Sequence, residues 1–166
     1  MGFSTTINFP PFEKICHPVL KESGLIGGKT GELRPSYYPP HFPFKNRIGD
    51  NFQITNIAQL KDVKPVFEKF IREDALPHFQ QWAHLEKAYE LALQYNEREV
   101  LSKTLGIHWE FAKATLLHMF NDPKYDSYMD AFCQKREEIS QKYPDEKLAV
   151  QFHCAAIALR ERLSVN

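Results

Sequence analysis

The chain has 166 residues, with 21 basic and 21 acidic side chains and 43% hydrophobic residues. That length fits one domain able to bury roughly 70% of its unfolded surface without help from a metal or disulfide. The charge balance argues against a general nucleic-acid binder, which carries a basic excess, and leaves little long-range repulsion to oppose association.

Residues 3–9 alternate apolar and polar side chains, with Thr5, Ile7 and Phe9 on one face, and predict a half-buried strand that Pro10 and Pro11 stop. Gly2 with Thr6 formally matches a myristoylation motif, but a strand at Ile7 and Phe9 leaves the lipid no flexible arm. Between Phe12 and Leu20 the pattern supports one short helical turn, cut by Pro18. Residues 21–51 are punctuated by glycine and proline and read as loop and extended chain, with strands expected near Leu33–Tyr38 and Phe52–Asn56.

From there the chain turns helical. Leu60–Tyr95 carries apolar residues at helical spacing, Val63, Val66, Phe67, Phe70 and Ile71, then Phe79, Trp82, Leu85 and Ala88. It predicts two helices joined at Leu76-Pro77, where the first ends or kinks, with the second over 84–95 and a stripe wide enough to organise the rest. A third helix spans Glu97–Leu105 and ends at Gly106, and a fourth follows over Ile107–Phe120 with Trp109, Ala112, Leu116 and Phe120 on one side. Asp122-Pro123 opens a helix reaching about Lys142, with Tyr125, Tyr128, Met129, Phe132 and Ile139 inward. Pro144-Asp145 opens the last, whose stripe of Leu148, Phe152, Ala155, Leu159 and Leu163, extended by Val150, Cys154 and Ile157, predicts one of the most buried helices. The expected architecture is therefore a single α+β domain over 1–166: a small N-terminal β-sheet and loop portion, 1–56, packed against a helical bundle of five to six helices, 57–166.

Motifs that carry chemistry are scarce. Ser23 to Thr30 approaches a phosphate-binding loop, but Ser23 stands where the first glycine belongs and Gly31–Pro35 cannot continue as a long helix, so an ordinary glycine turn is expected. No two of the seven histidines stand four apart, so no metal site and no cofactor is predicted. Cys16, Cys133 and Cys154 are too few and too widely spaced for a disulfide framework and read as reduced cytoplasmic thiols. Cys154 is expected to be an inert core thiol, and Cys16, beside His17, is the least implausible nucleophile. The acidic pairs Glu137-Glu138 and Asp145-Glu146 read as solvated faces or helix-dipole partners. No secretion signal is expected, and no apolar run approaches the ~18 residues of a membrane helix. The aromatic stretch Tyr37, Tyr38, His41, Phe42 and Phe44, followed by Arg47, either anchors a strand-poor region to the core or, having the composition of a protein interface, is the candidate binding site; stacked bases or a small ligand are further readings.

Three segments together resemble a group of bacterial domains of unknown function: Ile71–Trp82 with its Leu-Pro-x-Phe knee, the helix start at His84–Ala88, and the helix pair around Leu105–Leu117. The resemblance implies an N-terminal sheet followed by a Leu-Pro-kinked helix and helical hairpins, in proteins of which some sit in toxin–immunity settings. It carries over no catalytic residue.

The reading that results is a non-catalytic cytoplasmic protein-binding domain, an immunity or adaptor protein that occludes a partner such as a toxin, with homodimerisation open. Its alternative is a small enzyme or ligand-binding protein with a site near the Gly-rich loop and Cys16/His17.

Overall fold

A computed structural model describes residues 9–27 and 57–165, and helix is the regular structure throughout them. In chain order the elements are α1 (Pro10–Glu22), α2 (Ile57–Phe70), a π-helical turn (Ile71–Ala75), α3 (Leu76–Trp82), α4 (Leu85–Gln94), α5 (Arg98–Leu105), α6 (Trp109–Met119), α7 (Tyr125–Lys142) and α8 (Lys147–Val165). The α+β expectation is overturned: there is no strand among the described residues. The strands expected at 3–8, 33–38 and 52–56 lie outside the described residues, while Phe9 is the extended residue that precedes α1.

The centre of the fold is α6, which packs against α1, α4, α5, α7 and α8. Every residue from Phe111 to Leu117 is buried. A helix that is apolar on all sides has to be enclosed, and the small side chains of Ala112, Ala114 and Thr115 leave room for neighbours on faces that Phe111, Leu116 and Leu117 do not fill. Phe111 meets Phe132 of α7 edge to face, with ring centres 5.0 Å apart, and tilts against Phe152 of α8 at 6.0 Å. Glu110 adds a polar tie, because Lys135 at 3.0 Å and Arg136, both on α7, donate to its carboxylate. The Arg136 guanidinium also covers the Phe152 ring at 4.4 Å.

Two prolines behave differently from expectation, for separate reasons. Pro18 lies inside a 13-residue α1 instead of cutting it short. An interior proline costs about 3 kcal/mol, and α1 offsets this by burying Phe12, Cys16, Val19 and Leu20 against α6 and α8. At Pro77 the helix neither ends nor separates into two. The π-helical turn just before it widens the hydrogen bonding to i→i+5, with Leu76 N–H donating to Ile71 O, so the helix runs on through a residue that has no N–H to give. α3 starts at Leu76 out of that turn, and the full break falls at Ala83-His84, where the expected second helix over 84–95 begins.

Within the Leu60–Tyr95 stretch, α4 packs on α6 and buries Ala88, Leu91 and Ala92, but the α2 part does not organise the described fold. Val66 is 43% exposed and Leu76 is 49% exposed, and among the described helices α2 packs on none of α1 and α4–α8. Two helix ends close by the same device. Gly24 at φ +72° donates to Lys21 O while Leu25 N–H donates to Leu20 O, and Asn121 at φ +50° donates to His118 O while Asp122 N–H donates to Leu117 O.

Phe111→Ala is expected to lower unfolding stability by about 3–5 kcal/mol, and Val66→Ala by about 0.5 kcal/mol or less. Urea denaturation of the two variants decides whether α6 or the α2 part of the Leu60–Tyr95 stretch holds the fold.

Candidate functional site

Polar side chains converge in one described hollow, of about 260 Å³, between α4, α6 and the start of α7. Leu93 and Leu117 form its apolar wall, while Lys113, Lys124, Asn96 and Tyr128 bring polar groups and an aromatic ring.

Lys113 is the unusual member. It lies in the fully buried run of α6 and is 7% exposed. Its ammonium donates to Asn96 Oδ1 at 3.2 Å and to Tyr95 O at 3.4 Å, at the C-terminal end of α4, where the helix dipole favours a cation. It also stands 5.7 Å from the centre of the Tyr128 ring. Burial depresses its pKa below the ordinary lysine value, and neighbouring Lys124 lowers it further, while Asp122 opposes both. An ammonium has three donors, and these two bonds leave one.

Lys124 precedes α7 and is placed by the turn that Asp122 makes. Asp122 Oδ1 accepts from Lys124 N–H at 2.7 Å, and Asp122 Oδ2 accepts from the Tyr89 hydroxyl at 2.6 Å. Tyr89 in turn stacks on Phe120 with ring centres 4.4 Å apart. The Asp122 carboxylate is therefore occupied on both oxygens, and neither Lys113 nor Lys124 forms a salt bridge among the described residues.

The thiols fall out differently from the sequence reading. Cys16 is buried on α1, where desolvation pushes its thiol up to about 12 and the Thr115 hydroxyl only partly opposes the rise. A buried thiol raised in this way holds little thiolate at neutral pH, which counts against Cys16 as a nucleophile. Cys133 is also buried, and desolvation raises its pKa, with Arg160 pulling it back. Cys154, expected in the core, is exposed. The reason is that α8 turns Ala155, Ala156, Leu159 and Leu163 inward and leaves Val150, Cys154 and Ile157, one turn apart, on its outer side.

Of the glycine-rich loop, Ser23 and Gly24 terminate α1, which is the reverse of a loop that opens a helix under a phosphate. A side chain on Gly24 would come within 2.6 Å of Gln151 Nε2 on α8. Residues 28–31 lie outside the described residues, as do Tyr37, Tyr38, His41, Phe42, Phe44 and Arg47 of the expected interface. Among the described residues no group of three or more His, Cys, Asp or Glu side chains is arranged to hold a metal ion, and no helix is long and apolar enough to cross a membrane. No protein-family model, curated protein or solved structure matches the chain.

In native protein near pH 8, one of the three thiols, Cys154, is expected to react rapidly with a disulfide reagent, and Cys154→Ser is expected to remove that phase. Cys16 and Cys133 react only as the protein unfolds. A second expectation concerns acid. The Tyr89 hydroxyl first, and then the Lys124 N–H, hold the Asp122 carboxyl below the usual aspartate value. A carboxyl depressed on folding contributes stability above its unfolded pKa and loses it as pH falls through the folded one. Asp122→Asn is therefore less stable than the parent at pH 7, and the two converge in acid, as thermal melts across pH will read.

Proposed function

We propose that the chain is a non-catalytic protein-binding domain of the cytoplasm, an immunity or adaptor protein whose surface covers part of a partner protein. The observation that carries this reading is the outer side of α8. Val150 and Ile157 are each 37% exposed there with Cys154 between them, on a helix whose opposite side is already spent on the core. Apolar surface presented at helical spacing suits the apolar side of another protein. The zero net charge removes long-range repulsion that would oppose such contact. The burial of Cys16 and Cys133, which raises both thiols, supports a role without nucleophilic chemistry. The immunity setting rests on the resemblance of Ile71–Trp82 and Leu105–Leu117 to bacterial domains found there.

Cys154 is the natural probe, because the other two thiols are buried. A photo-crosslinker attached to Cys154 in the native host is expected to trap one protein in stoichiometric yield, and Ile157→Lys is expected to abolish trapping with the thermal midpoint unchanged. Trapping that survives Ile157→Lys, or that yields many proteins in trace amounts, refutes the reading. A crosslink to a second copy identifies the surface as a homodimer interface.

A further inference from the structure

We propose that the hollow between α4, α6 and α7 binds a small organic carboxylate with a short hydrocarbon body, held by Lys113 and Lys124. Two lysines border this hollow from different elements, Lys113 from the middle of α6 and Lys124 from the turn before α7. Neither has a carboxylate salt-bridge partner among the described residues. The nearby carboxylate, Asp122, accepts from the Tyr89 hydroxyl on one oxygen and from a backbone N–H on the other; its charge acts on both lysines, but it is absent from the wall of the hollow. An anion entering here gains two cations and the donor that Lys113 has left after Tyr95 O and Asn96 Oδ1.

The size and lining set the rest of the ligand. At about 260 Å³ the hollow is smaller than the ~300–1,000 Å³ of sites for drug-sized molecules, so its occupant is small. Leu93 and Leu117 offer an apolar wall to a hydrocarbon segment, which inorganic phosphate does not have and a short-chain carboxylate does. The lysine that matters most is already ordered. Lys113 is 7% exposed and fixed by two hydrogen bonds, so binding immobilises one fewer flexible side chain.

The test is a titration of the full chain with sodium hexanoate, followed by the NMR signals of the Leu93 and Leu117 methyls and the Lys124 amide, with sodium chloride at matched ionic strength as the control. Saturable shifts confined to these residues are expected with hexanoate and not with chloride. Lys124→Gln is expected to weaken binding about tenfold, as loss of one charge-assisted contact does. Lys113→Met, which keeps the aliphatic stem, is expected to weaken it at least as much in protein whose thermal melt shows it folded. Shifts that follow ionic strength whatever the anion, or a Lys124→Gln affinity equal to the parent's, overturn the site. Tighter binding of inorganic phosphate than of hexanoate overturns the carboxylate assignment. Crosslinking from Cys154 is expected to be unchanged in Lys124→Gln, so this inference and the protein-binding reading fail separately.

Discussion

The structure depends on one helix having no side turned to solvent. Phe111 to Leu117 are buried in succession, and a helix in that position imposes terms on everything around it. Its apolar residues require neighbours on several sides, which α1, α4, α5, α7 and α8 supply. Its polar residues require partners in the interior, because a buried polar group without one costs a few kcal/mol. Thr115 meets this locally, by donating to Phe111 O at 2.9 Å. Glu110 meets it across the interface with α7, through Lys135 and Arg136. Lys113 meets it at the end of α4. The polar side chains of α6 therefore help fix where α4 and α7 sit, in addition to the packing that holds them close.

The same arrangement explains why α8 is two-sided. It packs on α6, α7 and α1, and a straight helix against that surface can bury only about one stripe. Ala155, Ala156, Leu159 and Leu163 fill it, and the small alanines allow close approach. Val150, Cys154 and Ile157 are then surplus to the core. An apolar surplus at helical spacing is costly to leave in water, and a partner relieves that cost. The link from packing to the proposed function runs through this surplus.

How much of this was legible in the sequence depended on the kind of signal. Helix identity was clear wherever periodicity and punctuation agreed, as at Gly106 after α5, whereas Asp122-Pro123 marks a turn and α7 begins only at Tyr125. Periodicity does not say which helix is central. The Leu60–Tyr95 stretch shows a broad stripe, yet Val66, Phe67 and Leu76 are exposed, whereas α6 shows no polar side because it has none to spare. Its mark was the run Phe-Ala-Lys-Ala-Thr-Leu-Leu, apolar or small in every direction but one. Neither proline stops its helix, since the burial of α1 outweighs Pro18 and a π-helical turn accommodates Pro77. The hollow was not legible at all. Leu93, Lys113 and Lys124 belong to three segments, and only packing against α6 brings them together. The single available clue was a lysine in the middle of an otherwise apolar run.

That lysine also separates what the fold requires from what it does not. A charged side chain on an enclosed helix must keep its ammonium near polar groups or water, because complete burial of an unpaired charge is far more costly than any packing it could gain. Some opening beside Lys113 therefore follows from putting a lysine on α6 at all, and its bonds to Tyr95 O and Asn96 Oδ1 serve the fold by closing the end of α4. Lys124 has no such obligation. It lies in a turn outside the core, exposed, and its backbone N–H alone is enough to make the turn with Asp122. Its side chain nevertheless borders the same hollow, close enough for the like charge to depress Lys113 further. At Lys113 the like charge of Lys124 outweighs the opposite charge of Asp122, and nothing in the packing of α6 calls for the second cation. An anion between them would turn that repulsion into attraction, which is the physical ground for treating the hollow as a site and not merely as the exit of a buried lysine.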